Sequence, residues 1–422
     1  MTIFELAAIL LSFAAILGYL NVRYLQLPAT IGIMLISLIF SVGLILLGQV
    51  FPALTEAAKH IVGQIDFNET LLDVMLSYLL FAGALHVDLS DLSRQRWVIT
   101  ILATAGVVVS TVLIGTAVCF LLPLFGLQFP YLHCLLFGAL ISPTDPVAVL
   151  GILKKAGVPR SLEIKITGES LFNDGIGVVV FLALAGIAAG EHAFDLATVG
   201  HLFLVEAVGG VVFGAGVGFV GYHLLRRIDH YQTEVLITLA LVTGGYSLAH
   251  ALHTSGPLAM VVAGLMIGNH GRLFAMSDTT RHHLDLFWEL VDEVLNALLF
   301  ALIGLELLVI SYSPKILLLG VLIVPVVVAA RFLSVSLPIA ILKPFRAFSP
   351  GAAKMLTWGG LRGGISVALA LSLPEEAGRN TFLALTYVVV VFSIAVQGMT
   401  LRPLYDRFVR APQRPTAKPA DT

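Results

Sequence analysis

Apolar residues run along this chain in blocks about as long as a bilayer is thick, and the polar residues fall in short gaps between them. A helix crossing the hydrocarbon needs about 20 predominantly apolar residues, and stretches of that order occur at about thirteen places. They are roughly 3–21, 27–49, 70–87, 97–123, 130–153, 166–190, 196–225, 233–252, 256–269, 286–309, 315–342, 352–374 and 381–401. The ninth is short, as a half-length or tilted span would be. Helices satisfy their backbone groups internally, so the pattern predicts an all-α polytopic membrane protein. The first block holds Glu5, has no basic start and shows no small-residue cleavage site before Arg23, which favours a retained helix over a signal peptide.

Two blocks are interrupted. In the fifth, Ser142-Pro-Thr-Asp-Pro-Val-Ala-Val149 sets Asp145 between prolines. Pro143 has no N–H for the Ala139 carbonyl and Pro146 none for that of Ser142, so carbonyls are released where lipid could not satisfy them. A carboxylate at mid-bilayer depth costs roughly 2.5–3.5 kcal/mol on insertion scales and persists where it faces a cavity or an ion path. The plainer alternative is a Pro-kinked helix whose Asp145 is satisfied by a neighbour. The twelfth block contains Gly359-Gly-Leu-Arg-Gly-Gly364 and ends at Pro374. If spans 1–6 and 8–13 form two halves, these are the fifth member of each, the arrangement of inverted repeats whose broken helices cross at a substrate site. On this reading 1–402 is one transmembrane domain. Its first repeat covers about 1–190, a linker helix about 196–226 and the second repeat about 233–402, with a short basic tail over 403–422.

The sixth block opens with Gly168-Glu-Ser-Leu-Phe-Asn-Asp-Gly-Ile-Gly177. At helical spacing Ser170, Asn173, Asp174 and Gly177 share a face, with Glu169 on its flank. A hydroxyl, an amide and a carboxylate on one strip suit a hard monovalent cation; the alternative is a polar packing seam. Glu169 needs a partner at depth. Arg331, in an apolar helix with no local counter-ion, is the natural one, unless it snorkels to the interface. Arg362 can stabilise the carbonyl end of a half-helix, pair with Asp145, or anchor the interface. In the tenth block Glu289, Asp292, Glu293 and Asn296 would form an electronegative inner vestibule or merely a solvated helix end. His250 and His253, spaced i,i+3, read better as satisfied interfacial histidines than as a metal site.

Composition agrees with this picture. Of 422 residues, 58% are hydrophobic and 12% charged, with a mean hydropathy of +0.97, whereas soluble domains carry about 25% charged residues. A net charge of −2 gives no reason to expect a nucleic-acid partner, and Cys119 and Cys134 lie within spans rather than in a disulfide framework. Counting thirteen spans with the N-terminus outside, only Lys59, Lys315 and Arg379 fall outside and Arg331 and Arg362 within spans; the other basic residues of the 24 lie on the cytoplasmic side. The expectation is a multi-pass inner-membrane protein with a cytoplasmic C-terminus.

Taken together, SPTDPVAV (142–149), GESLFNDGIGVVVF (168–181), HTSGPLAMVVAGLMIGN (253–269), LNALLFALIGLEL (295–307) and GGLRGGISVALALSLP (359–374) resemble the NhaP/NHE-type monovalent cation:proton antiporters, in the same order and over most of the membrane region. The resemblance implies an inverted-repeat fold of thirteen helices, a homodimer in the lipid bilayer, and secondary active exchange of Na⁺ or Li⁺ for H⁺, with no cofactor. By motif match Asp174 would carry the ion and the proton, and Thr144 and Ser170 would join it as oxygen ligands of Na⁺. Asn173 and Asp145 would organise the site and Glu169 would pair with Arg331, while Arg362, Gly359, Gly360, Gly363 and Gly364 support the crossing. Asn173-Asp174 stands where electrogenic relatives carry two aspartates, which implies electroneutral one-for-one exchange; His250 stands where many relatives carry an acid. K⁺/H⁺ exchange is the alternative within the class, and a passive channel lies outside it. An intramembrane aspartyl protease is more remote still, because neither Asp145 nor Asp174 lies in a Gly-x-Gly-Asp pattern.

Overall fold

The computed structural model describes residues 2–63, 74–146, 158–190, 196–310, 313–346 and 348–410, together with Val149, Gly151 and Leu153. Val147, Ala148, Lys154, Lys155 and the tail beyond Arg410, all used in reading the sequence, lie outside the described residues. Among the described residues the chain is helical apart from loops and one isolated backbone bridge. Eight of these helices are long and apolar enough to cross a membrane, and shorter apolar helices cover Leu76–Leu85 and Tyr131–Ile141.

In chain order the helices are α1 (Ile3–Leu20), α2 (Ala29–Leu47), α3 (Pro52–Val62), α4 (Leu76–Leu85), α5 (Leu89–Arg94), α6 (Arg96–Ala103), α7 (Ala105–Leu121), α8 (Tyr131–Ile141) and α9 (Arg160–Ala188). They continue as α10 (Leu196–Leu225), α11 (Tyr231–Ala251), α12 (Gly256–Met266), α13 (Asp278–Glu306), α14 (Pro314–Leu342), α15 (Ala352–Trp358), α16 (Gly364–Leu371) and α17 (Arg379–Phe392), with a single turn at Arg272–Phe274 before α13 and a short helix at Met399–Tyr405 after α17.

Burial sorts these helices into centre and rim. In the most apolar window of α9, 67% of residues are buried, against 17% in the first span, so α9 is central and α1 peripheral. Peripheral helices carry large apolar side chains outward, as Phe4, Ile16 and Tyr19 do on α1, which suits a lipid-facing surface. Around α9 pack α6, α8, α12 and α10, while α14 packs against α7 and α17. Glycines bring backbones together at these contacts. On Gly138 of α8 a Cβ would come within 2.2 Å of the Thr111 carbonyl on α7, and on Gly268 one would come within 2.1 Å of the Leu85 carbonyl.

Several boundaries differ from those expected. α9 starts at Arg160 after Pro159, not near 166, so Lys165 lies buried in the helix, its ammonium 4.8 Å from the Phe348 ring, rather than in a cytoplasmic loop. α13 starts at Asp278, capped by the Ser277 hydroxyl, which accepts from the Thr280 N–H. Hydropathy missed both first turns because they are polar. The amphipathic α3 was also unforeseen, being too short and too polar to register as a span. Outside the spans, Asp88 caps α5, accepting from the N–H groups of Ser90 and Asp91 at 2.7 and 3.2 Å. The Asp91 and Ser90 backbone donors, aided more weakly by Arg160, hold its carboxyl below the usual carboxylate range.

Candidate functional site

The two interrupted blocks meet. α8 ends at Ile141, and α15 and α16 are separated by Gly359–Gly363. At their crossing the Asp145 N–H donates to the Leu361 carbonyl at 2.8 Å, an antiparallel backbone bridge between two segments that cannot continue as helix. The carbonyls of Ser142 and Pro143 accept from one Arg362 nitrogen at 2.7 and 2.8 Å. A helix C-terminus presents partial negative charge, and a buried guanidinium answers it. Of the three positions open to Arg362, the structure adopts the first, at the carbonyl end of a half-helix, and the side chain is only 1% exposed. The Ser142 hydroxyl turns back to the Gly138 carbonyl at 2.7 Å, satisfying another terminal carbonyl of α8.

Glycine permits this crossing sterically. A Cβ on Gly363 would lie 2.3 Å from Asp145 Oδ2, and one on Gly360 would lie 2.7 Å from Arg331 Nε. At Gly364 it would meet the Leu299 side chain at 2.4 Å and at Gly359 the Met355 carbonyl at 2.8 Å.

α9 closes the site from a third side. A Cβ on Gly177 would lie 2.3 Å from Pro143 Cγ, so this glycine lets the broken segment lie against the helix. One turn earlier, Asn173 clamps Thr144 from both ends: Oδ1 accepts the Thr144 N–H at 3.2 Å and Nδ2 donates to its hydroxyl at 2.7 Å. The Thr144 and Ser170 hydroxyls are 3.0 Å apart. Asn173 thus satisfies an amide that the helix break would strand. On the flank Glu169 and Arg331 form a two-pronged buried pair, with contacts of 2.5 and 2.7 Å, and Arg331 also reaches the Leu356 carbonyl at 3.3 Å. A buried arginine with no local counter-ion is thereby matched across 162 residues of sequence.

Asp174 faces a cavity of about 240 Å³ that is also lined by Asp145, Asp292, Asn296 and Ser366. Asp174 is 4% exposed, and its Oδ1 has no hydrogen-bond partner among the described residues. An oxygen of this kind is costly to bury unless something else binds it. Thr144, Ser170 and Asn173 stand behind this lining, bonded to one another. The tenth block divides: Asp292 and Asn296 reach the cavity, whereas Glu289 and Glu293 are exposed. Ser366 was not singled out from the sequence, where a serine in an apolar helix gives no signal. His250 and His253 are exposed near the end of α11, away from this cavity lining, with His253 at φ 53° in the turn.

The family described as sodium/hydrogen exchanger, transmembrane, matches residues 9–407. The chain is 52% identical over 410 residues to the Na(+)/H(+) antiporter NhaP of Pseudomonas aeruginosa, covering 96% of each chain. It is 36% identical over 384 residues to the Na(+)/H(+) antiporter NhaH of Halobacillus dabanensis, covering 86% of this chain and 90% of the relative. Its fold resembles that of the sodium proton antiporter MjNhaP1 from Methanocaldococcus jannaschii, with a TM-score of 0.76 at 19% identity over 96% of this chain and 98% of the other. A match over nearly the whole chain, with an acidic cavity at two crossing broken helices, places the chain in the transmembrane sodium/hydrogen exchanger family.

Proposed function

We propose that this chain is a secondary antiporter that exchanges Na⁺ or Li⁺ for H⁺, with Asp174 carrying the proton and the cation in turn. The observation that carries this reading is a buried Asp174 oxygen with no hydrogen-bond partner among the described residues, on a residue that lines an acidic cavity at the crossing. When protonated, Asp174 is neutral and can be buried without a counter-ion; deprotonated, it needs a cation. A single group that must hold one or the other couples the two fluxes, and one charge replaces one charge.

Asp145 and Asn173 organise the site in this proposal, Asp145 through its backbone bridge to Leu361 and Asn173 through its clamp on Thr144. Thr144 and Ser170 supply further oxygens: a hydroxyl that donates to its neighbour keeps lone pairs for a cation, and Ser170 lies one turn from Asp174 on the same helix. Glu169 and Arg331 hold the flank, and Arg362 with the glycines at 359, 360, 363 and 364 holds the crossing. We also propose inverted repeats of about 1–190 and 233–402 linked by about 196–226, an external N-terminus, a cytoplasmic tail over 403–422 and assembly as a homodimer. The inverted repeats are supported by the placement of the two interrupted blocks at one crossing.

The test is cation-induced proton flux in proteoliposomes with Na⁺, Li⁺ and K⁺ in turn. Na⁺ and Li⁺ should drive exchange in the wild type and neither should in a monodisperse Asp174→Asn protein. Near-normal exchange by that variant would remove Asp174 as carrier, and a response to K⁺ alone would reassign the cation.

A further inference from the structure

The cavity has a second polar wall. Asp292, Asn296 and Leu299 line it from α13 at i, i+4 and i+7, which puts them on one face. Asp292 is partly exposed and Asn296 is buried, so the stripe runs from the accessible side inward. The Asn296 amide donates to the Asp292 carbonyl at 2.8 Å, which fixes its orientation and leaves its oxygen as an acceptor.

On α16 Ser366 lines the same cavity and is 1% exposed, and its hydroxyl has no hydrogen-bond partner among the described residues. A buried hydroxyl without a partner is disfavoured unless something polar comes to it. Among the described residues no basic side chain lines the cavity. Asp174 and Asp292 line this cavity together, one from α9 and one from α13. Two carboxylates on one cavity, Asp174 and Asp292, favour a cation between them when both are ionised. The volume of about 240 Å³ has room for that cation with several waters, at about 30 Å³ each.

We propose that Asp292, Asn296 and Ser366 form a second monovalent-cation site in this cavity, a waiting position occupied before Asp174 gives up its proton. The inference rests on Asp174 being the carrier. A cation held at the waiting position favours ionisation of Asp174; the proton leaves through the cavity, the cation moves onto the carboxylate, and one charge has replaced another. Asp292 and Ser366 then act on cation capture rather than on turnover.

Full-length protein in proteoliposomes tests this by titration with Na⁺. Asp292→Asn should raise the apparent KM for Na⁺ several-fold at unchanged maximal rate, Ser366→Ala should do so to a smaller extent, and Asp292→Glu should restore much of the affinity. Glu289→Gln and Glu293→Gln, which neutralise exposed acids on the same helix, should keep the wild-type KM. A wild-type KM in Asp292→Asn, an unchanged KM with a reduced maximal rate, or an equal rise in the Glu289 and Glu293 variants would overturn the waiting site, the last by showing a general surface-charge effect. Should Asp292→Asn not be monodisperse, Ser366→Ala decides by the same split between KM and maximal rate. Asp174→Asn measured in parallel separates the two ideas: if it transports, the carrier assignment fails, whereas a wild-type KM in Asp292→Asn removes only the waiting site.

Discussion

At the scale of single residues, the site holds a matched pair of charges beside a buried Asp174 oxygen that has no hydrogen-bond partner among the described residues. Glu169 and Arg331 are buried together with two close contacts. Removing one member of such a pair leaves the other charged and desolvated, at a cost of about 3–5 kcal/mol. Glu169→Gln and Arg331→Ala should therefore each lower the melting temperature in detergent, and the double variant should recover part of the loss; strictly additive shifts would show that the pair is not coupled. In the proposed mechanism Asp174 behaves differently, because its proton would compete with the cation. Below the pKa of the carrier, the apparent KM for Na⁺ should rise about tenfold per pH unit with no change in maximal rate. Initial rates over a grid of pH and Na⁺ concentration test this, and a maximal rate that falls while KM stays constant would contradict competition at one group.

At the scale of elements, the decisive feature is the crossing of two interrupted helices, and its tolerance is set by glycine. With a Cβ 2.3 Å from Asp145 Oδ2, Gly363→Ala must displace that carboxylate or the backbone that carries it. This variant should fold and lose most of its exchange, whereas Gly244→Ala, where nothing lies within 4 Å, should transport as the wild type does. Equal activity in the two would mean that the close approach at the crossing is dispensable. The cap of α5 gives a prediction outside the membrane. Asp88 has a folded-state pKa below its unfolded value, so its stabilising contribution is fully present above the unfolded pKa and is lost as pH falls through the folded one. Asp88→Ala should lower hydrogen-exchange protection at the Ser90 and Asp91 amides at neutral pH, and the difference from wild type should close on acidification. A difference that persists in acid would assign the effect to something other than the carboxylate.

At the scale of the whole molecule, the proposed one-for-one exchange through a single carboxylate would move no net charge per cycle. A cycle that moved one elementary charge would instead couple to about 2.3 kcal/mol per 100 mV. Na⁺-driven proton flux in proteoliposomes clamped at 0 and about −100 mV should therefore be the same. A rate that follows voltage, or a steady current, would show that the stoichiometry inferred from Asn173-Asp174 is wrong.

The amino-acid sequence by itself determined the membrane class, the two interrupted blocks and the acidic identity of the site. These are local properties: apolar run length, the missing N–H of proline and the helical spacing of Ser170, Asn173 and Asp174 are all read within one or two turns. The helix starts at Arg160 and Asp278 were not legible, because polar first turns are set by caps and packing rather than by hydropathy. Only the tertiary structure decided among the three positions open to Arg362, because the carbonyls it meets belong to a segment about 220 residues away in sequence. It alone divided the acids of the tenth block, sending Asp292 and Asn296 to the cavity and leaving Glu289 and Glu293 exposed, since which face of a polar helix end turns inward depends on the neighbours packed against it. Ser366 became visible for the same reason: whether a hydroxyl has a partner is a property of the space around it, and that space is made by several helices at once.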